Sequence, residues 1–524
     1  MVVTLDIMAK IIKFDLPFNK SLNDYLAKEY PRLKAFRILS RNLDARGAQR
    51  DQAPRYNYQI EMIEQGEIFS VDEEVFPQLA SLHEKPIIVG TGPAGLFCAL
   101  RFLEYGITSV LIERGEPLNE RIKSIAHYWK SGEMNPESNI CFGLGGAGLY
   151  SDGKLTSRSK SPYVDYVMKK LVEFGAPSET RWIKNPHIGS NNIRKIIISL
   201  CQYLQAQGCE IHFNHKMTGL LIEHGAVYGV EINHQKKMFA PNVILATGHS
   251  ARDVYAHLFE VGVHLQKKDF AVGLRVEHPR KYIDQIQYGK FAGHPNLKTA
   301  SYRLSHHDEK SNRGVFSFCM CPGGLILSSG NEPQGIVTNG MSNAKCMSPW
   351  SNSALVVSVK GTDLKDDIFS GIKFQQAIER AAFDHSRELA SGKEIPAQML
   401  GDFLEAKKTT HLKNKSSTPS GVFPCDLSQI LPDFVCAELR KAILKFNQQM
   451  KNFISGEAVV LGPETRTSSP VQVLRDRQSL EANIKGLYPI GEGAGWAGGI
   501  VSSAIDGIHA AMSIIKKEKQ IDLI

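Results

Sequence analysis

One stretch, Lys85 to Gly115, constrains the fold more than any other part of the chain. It reads KPIIVGTGPAGLFCALRFLEYGITSVLIERG. A short apolar run, Pro86 to Val89, meets the glycine turn Gly90-Thr91-Gly92-Pro93-Ala94-Gly95. Leu96, Ala99, Leu100 and Leu103 then follow helical spacing, and Gly106 stops the helix. A second apolar run, Ser109 to Ile112, ends on Glu113. Strand, turn, helix, strand and acid stand in the order that a dinucleotide-binding βαβ unit requires.

Each part has a chemical reason. Gly90 permits the tight turn, Gly92 lets the backbone approach a pyrophosphate, and Gly95 lets the helix pack on the strand. The N–H groups and positive dipole at the helix start favour phosphates. Glu113 lies 18 residues beyond Gly95, near the expected ~20, where a carboxylate can accept from a ribose. An ordinary glycine-rich loop is the bland alternative, and the pattern alone is weak. It recurs at Gly143 to Gly148 and at Gly493 to Gly498. Only the first copy follows a buried strand, opens a helix and ends in an acid.

At 524 residues, 42% hydrophobic and 22% charged, the chain reads as a soluble globular protein of two or three domains. The net charge of +8 is modest, and Lys516-Lys517-Glu518-Lys519 reads as a solvated helix end. The nine cysteines are odd in number and form no short-spaced framework. With no secretory signal in Met1 to Lys13, reduced thiols and a cytoplasmic location are expected. No uncharged apolar run reaches membrane-spanning length, so no membrane partner is expected.

Residues 1–80 read as a small β-α-β-β module: strand Lys10 to Leu16, helix Ser21 to Tyr30, strands Ala35 to Leu39 and Tyr56 to Ile63. The link between its last two strands carries Arg41, Arg46, Arg50 and Arg55. A solvated loop is the simpler reading, because no aromatic stacking pattern accompanies the arginines. A basic surface for RNA or an acidic protein is the alternative. A linker, Asp72 to Glu84, leads into the nucleotide turn.

Beyond Glu113 the chain reads helix (Leu118 to Trp129), then a glycine-rich loop from Asn139 to Ser159. Five glycines between Gly143 and Gly153 exclude a stable helix or strand there and suit close approach to a flat or phosphorylated ligand. Helices Val164 to Phe174 and Asn191 to Gln207 follow. Short strands Cys209 to Asn214, Met217 to Glu223 and Val227 to Asn233 form a meander, and a buried strand, Asn242 to Leu245, enters Ala246-Thr247-Gly248. From about 253 to 455 the pattern changes to a mixed or antiparallel sheet with helices at Lys373 to Leu389, Ala397 to Leu404 and Cys436 to Phe453. The strands there are Phe270 to Val276, Val315 to Met320, Leu325 to Ser328, Gly335 to Asn339 and Ala354 to Val359. This segment reads as an inserted substrate or cap domain. Finally, strand Leu487 to Ile490 runs into a second glycine turn, Gly491 to Gly499, and an apolar helix, Val501 to Ile515.

These residues together resemble flavoproteins of the glutathione-reductase/hydroxylase structural type. FGLGGAGLYSDGKLTSR, ATGHSARDVY, FAVGLRVEHP, FSFCMCPGG, GPETRTSSPVQVLRD and GEGAGWAGGIVSSAIDG stand in this order. They look like the bacterial family named FAD-dependent proteins or NAD(FAD)-utilising dehydrogenases. The resemblance implies an α/β fold: a Rossmann-type FAD-binding domain (85–252 and 456–524), an inserted mixed α+β substrate or cap domain (253–455), and a small N-terminal α+β module (1–80). It implies FAD contacts at Gly90, Gly92, Pro93, Ala94, Gly95, Glu113 and Arg114. Further contacts are implied at Gly145, Gly146, Thr247, Gly248, Gly491, Glu492, Gly499 and Ile500, with Met217 offering its backbone to adenine. Glu492 stands where most of the superfamily has Asp. The first turn alone could hold NAD or FAD; the distant second turn favours FAD, which needs an anchor beyond its adenosine half.

The flavin carries the redox step, and the inserted domain should supply the face over it. Cys319 and Cys321, two apart in a strand, would face one pocket and could serve as a redox pair or nucleophile. They could equally be two small buried residues before a Pro-Gly-Gly turn. Arg466 could stabilise reduced anionic flavin, bind a substrate carboxylate, or form a structural salt bridge. His187, His249 and His278 are possible proton movers, each also readable as a structural histidine. No Cys/His set completes a metal site. The expected function is an FAD-dependent dehydrogenase or reductase of undetermined small-molecule substrate, transferring hydride or electrons through FAD, with NADH or NADPH as a transient donor. The alternatives are an FAD monooxygenase, or a flavin-containing RNA- or protein-binding factor acting through residues 1–80. The oligomeric state is left open.

Overall fold

The computed structural model of the protein describes residues 9–64, 69, 76–155 and 160–520. The first part of Met1 to Lys13, the start of the Asp72 to Glu84 linker, and the end of the Asn139 to Ser159 loop lie outside them.

The N-terminal module has the expected β-α-β-β order. Strands Lys10–Pro17, Ala35–Asp44 and Arg55–Ile63 form an antiparallel sheet with the last in the centre. Alternate residues Tyr58, Ile60 and Met62 of that central strand join Leu16 and Leu26 in a small core. Helix Leu22–Glu29 starts at Ser21, whose hydroxyl accepts from Asp24 N at 3.3 Å. Arg41 corrects the expectation of arginines without aromatic partners. It lies within the second strand, its guanidinium 5.0 Å from the Tyr56 ring and 4.8 Å from the Trp182 ring. Trp182 comes from far along the chain, so local sequence could not reveal the pair. Arg41 N also donates to Trp182 O at 2.8 Å, docking the module on the body.

A five-stranded parallel sheet follows. Its order is Leu487–Pro489, Val243–Leu245, Ile87–Val89, Val110–Ile112 and Glu210–His212. The first four strands are wholly buried three-residue runs, the pattern of a parallel sheet covered on both faces. The expected Cys209 to Asn214 strand is this sheet's edge rather than part of a meander. The meander is instead Met217–Glu223, Ala226–Ile232 and Lys236–Phe239. The last strand, Lys-Lys-Met-Phe, is short and largely exposed, so it carries no alternating apolar signal.

Helices Pro93–Glu104 and Ile500–Lys519 each leave the carboxyl end of a strand of this sheet. They touch where Gly507 meets Ala94: a Cβ on Gly507 would lie 2.1 Å from Ala94 O. Both helix N-termini are thereby held at the sheet edge where open α/β folds bind ligands.

The second large sheet has seven strands. They run Ser305–Asp308, Arg313–Cys321, Trp350–Val359, Phe270–Pro279, Val459–Glu464, Ile395–Met399 and Val422–Pro424. All pairs are antiparallel except the last. Three expectations change. Ala397 to Leu404 is not one helix: Ile395–Met399 is a fully buried strand, and only Leu400–Leu404 is helical. A short buried apolar run has no period to separate strand from helix. Val459–Glu464 belongs to this sheet, so the sheet extends beyond the boundary expected at 455. Thr338–Met341, rather than Gly335 to Asn339, pairs with Leu325–Ser328. No helix among the described residues is long and apolar enough to cross a membrane.

Candidate cofactor and active site

The first glycine turn is shaped by two close approaches. Gly90 has φ +112°, and a Cβ there would lie 2.4 Å from Ala246 O. A Cβ on Gly95 would lie 2.0 Å from Gly90 O, so Gly95 packs the helix rather than touching a ligand. Gly92 differs: nothing lies within 4 Å of its Cβ position. It precedes Pro93–Glu104, and no side chain caps that helix. Gly499 precedes Ile500–Lys519 in the same way. Two uncapped helix starts thus leave backbone N–H groups toward one space.

That space is a single cavity. It runs from the first turn, past Gly146, Gly491 and Glu492, to Phe318, Cys319 and Arg466 beside the seven-stranded sheet. Gly90, Gly92, Pro93, Ala94, Glu113, Arg114, Met217, Thr247, Gly248, Gly499 and Ile500 also line it. Gly95, Gly145 and Cys321 do not. Gly145 N donates to Thr91 O at 3.0 Å, which ties the second glycine loop to the first.

Glu113 has a different immediate role from the expected ribose acceptor. Its Oε2 accepts from Thr91 N at 3.0 Å and Thr91 Oγ1 at 2.8 Å. Its Oε1 accepts from Gly115 N at 3.1 Å and Gly143 N at 3.0 Å. Four donors fill the carboxylate's usual acceptor positions. Glu113 therefore clamps the first turn to the second glycine loop. Arg114 is likewise committed. Its guanidinium pairs with Asp253 at 2.9 and 3.0 Å and with Glu137, and stacks 4.1 Å from the Phe142 ring.

The two cysteines do not face one pocket. The strand register shifts between Phe318 and Cys321, and Cys319 has φ +42°. This bulge breaks the two-residue period on which the same-face expectation rested. Cys319 opens to the cavity, although protein surrounds it closely enough for burial to push its thiol up to about 11. Cys321 is fully buried, and its thiol donates to Cys319 O at 3.2 Å. The same carbonyl accepts from Arg275 Nη1 at 3.1 Å, and Arg275 is in a buried bidentate pair with Glu464 at 2.6 and 3.0 Å.

Arg466 combines a cavity position with a structural pair. It reaches Glu379 at 2.9 Å and also donates to Asn331 Oδ1. Arg252 holds the other side of Glu379 through two contacts of 2.9 Å. Burial opposes ionisation of Glu379, yet the two guanidiniums hold its carboxyl well below the usual range.

The three histidines separate. His278 is fully buried against Phe453 O at 2.8 Å, and burial lowers it to about 4. It lies in the seven-stranded unit's core and is not a cavity residue. His249 lines the cavity with Nδ1 3.4 Å from Glu492 Oε1, while its buried Nε2 has no partner among the described residues. His187 lies behind Asp152, at 2.9 Å. Sequence reasoning passed over Asp152 and Lys154, both in the cavity wall. Burial opposes ionisation of Asp152, but Lys154, His187 and Ser342 hold its carboxyl down to about 2. The signal available was an acid and a base inside a glycine-rich loop, Asp152-Gly153-Lys154.

This geometry is that of a dinucleotide-binding α/β protein with a second sheet closing the far end of the cavity. A family model described as FAD-dependent protein, C-terminal domain-like, matches residues 269–467. A protein of Clostridium beijerinckii, described as uncharacterised, is 39% identical over 436 residues, covering 83% of this chain and 81% of that one. The chain belongs to one family with this protein, its residues 269–467 match the FAD-dependent C-terminal domain, and FAD is its cofactor. Among solved structures, flavin-dependent brominase Bmp2 is 11% identical with a TM-score of 0.38, covering 84% of this chain and 81% of its own. A variant of the E. coli quinol fumarate reductase is 14% identical with a TM-score of 0.36, covering 85% and 72%. Both likenesses are distant. The residues present fit FAD: open glycine edges and uncapped helix starts suit its diphosphate, and the elongated cavity joins the two glycine turns.

Proposed function

We propose that the protein is an FAD-dependent oxidoreductase of the dehydrogenase or reductase type. It acts on a small molecule held at the seven-stranded-sheet end of the cavity, with NADH or NADPH as a transient electron donor. We read the five-stranded sheet as a Rossmann-type FAD-binding domain and the seven-stranded unit as an inserted substrate or cap domain. The supporting observation is the one cavity that carries Gly92 at one end and Phe318, Cys319 and Arg466 at the other.

FAD, when bound, supplies two-electron redox chemistry. The chain's residues bind, orient and exclude water. The helix starts after Gly92 and Gly499 receive the diphosphate and the far half of the cofactor. Phe318 and Cys319 form an apolar wall that keeps water from the reacting face. His249, held by Glu492, is the group placed to hold or release a proton within the cavity. Arg466, positioned by Glu379 and Asn331, presents positive charge to an anionic substrate group. A cytoplasmic setting suits nine unpaired cysteines. The N-terminal module acts in this reading as a docking unit, since Arg41 stacks on Trp182 and Gln49 Nε2 donates to Ile286 O at 2.6 Å.

Anaerobic titration of the purified holoprotein with NADH and with NADPH tests the proposal. Bleaching of the visible flavin bands by either donor supports it. Oxygen consumption coupled to a hydroxylated product would move the assignment to the monooxygenase class. Unchanged spectra with both donors would remove the nicotinamide from it.

A further inference from the structure

A second reactive constellation lies behind the cavity wall. Cys346 Sγ is 3.7 Å from His187 Nδ1. The other ring nitrogen, Nε2, is 2.9 Å from Asp152 Oδ1 and 2.8 Å from Ser342 Oγ. An ionised Asp152 only accepts, so Nε2 carries a hydrogen toward it, and Nδ1 is the ring position that faces the thiol. Thiol, imidazole and buried carboxylate stand in the order of an activated nucleophile, its base, and the group that orients the base.

Three separate segments are packed to build it. Asp152 ends the second glycine loop, His187 precedes helix Ser190–Ala206, and Cys346 follows strand Thr338–Met341. Gly189 admits the close approach: a Cβ there would lie 2.0 Å from Ala344 N. Lys154 bridges in β fashion to His187 and lies 3.0 Å from Asp152 Oδ2. Arg280 Nη1 donates to Cys346 O at 3.0 Å from another helix. Asp152, Lys154 and Arg280 are thus the charged groups around the His187–Cys346 pair. Asn343 O, 3.5 Å from Sγ, is the competing acceptor for the thiol proton. Cys346 is 9% exposed, next to Met347, which is 68% exposed.

We propose that Cys346, with His187 and Asp152, is a nucleophilic thiol site that reacts with small hydroperoxides. In the reaction, Cys346 releases its proton to solvent, leaving a thiolate beside the His187 imidazolium. The thiolate attacks the terminal oxygen of the hydroperoxide, an S–O bond forms, and the O–O bond breaks. The alkoxide, or hydroxide from hydrogen peroxide, takes the proton from Nδ1 and leaves as alcohol or water. Sulfur is oxidised by two electrons to sulfenic acid, and the peroxide is reduced by two. Burial alone would lower the His187 pKa, but Asp152 and Cys346 raise it to about 9, so below that pH Nδ1 holds the proton that the alkoxide takes.

The site stands independently of the oxidoreductase assignment, and its test does not use turnover. The holoprotein is treated with iodoacetamide between about pH 5 and 10, and alkylation of Cys346 is followed by peptide mapping. A second aliquot receives hydrogen peroxide and then dimedone, which traps sulfenic acid. The expected result is a Cys346 rate already at its plateau near pH 7, dimedone labelling at Cys346, and a roughly tenfold or greater fall in the pH 7 rate in His187→Gln. Three outcomes overturn the proposal. One is a wild-type rate that rises through pH 8 to 9 like an ordinary thiol. Another is Cys346 alkylation no faster than that of Cys425, whose thiol burial pushes up to about 12. The third is no dimedone adduct at Cys346. The wild-type pH profile and adduct decide even where His187→Gln fails to fold.

Discussion

The backbone N–H of Gly143 donates to Glu113 Oε1 at 3.0 Å. This bond joins the second glycine loop to the acid that ends the nucleotide unit. With Thr91 and Gly115, it turns a residue expected to hold a ribose into a clamp between two loops. Glu113→Gln places an amide NH₂ against N–H and O–H donors. It should cost about 1–3 kcal/mol in urea denaturation of the apoprotein and weaken FAD binding in fluorescence titration. Unchanged stability with weaker FAD binding would instead return Glu113 to a direct ligand role.

Glu379 sits between two guanidiniums and is almost fully buried. Glu379→Gln leaves Arg252 paired with Glu332 at 2.8 Å and Arg466 with Glu332 only at 3.9 Å. A loss of about 3 kcal/mol in urea denaturation is expected, because the buried Arg466 guanidinium loses its close anion. The wild-type pH dependence has a defined sign. Glu379 has a depressed folded pKa, so its contribution is present above the ordinary value of 4.5 and lost as acid protonates it.

His187 acts at the opposite end of the scale. Its pKa is raised from 6.5 to about 9, so its contribution is full below 6.5 and disappears as pH rises through 9. Thermal melts between those values should show a falling Tm that is flatter in His187→Gln. Equal slopes in the two proteins would contradict the His187–Asp152 pairing.

Cys319 and Cys321 should behave differently from each other. Cys321→Ser keeps a donor for Cys319 O and should leave the rate of flavin reduction by NAD(P)H within about twofold. Cys319→Trp places a large ring at the cavity wall. It should slow that reduction at least about tenfold while FAD stays bound, since misplacing reactants costs rate steeply. Stopped-flow absorbance at the flavin bands measures both.

Arg41→Ala removes the stack on Trp182 and Tyr56. A loss of about 1 kcal/mol and faster proteolytic release of residues 1–64 are expected. Limited proteolysis followed by intact-mass measurement checks the release.

The sequence made some of this legible because its signals are local. Pro86 to Glu113 and Leu487 to Ile515 each hold strand, turn and helix in one contiguous run, so the cavity's two glycine turns could be read directly. Ile395–Met399 could not, because a buried apolar run has no polar face to mark its period. The bulge at Cys319 rests on a local register shift, and the Arg41–Trp182 stack on residues far apart in the chain. Asp152 and Lys154 gained their places from packing among the second glycine loop, His187 and Met320.

The measurement closest to the central claim is FAD content and reconstitution of the purified protein, beside the same assay on Gly92→Asp. The cavity edge at Gly92 is open, and an added carboxylate there would fill the space and repel a diphosphate. Wild-type protein should carry or take up stoichiometric FAD, with flavin bands in its visible spectrum, and Gly92→Asp should lose it while remaining folded by circular dichroism. A folded wild-type protein that stays colourless after incubation with FAD, or a Gly92→Asp variant that binds FAD as wild type does, would contradict the account.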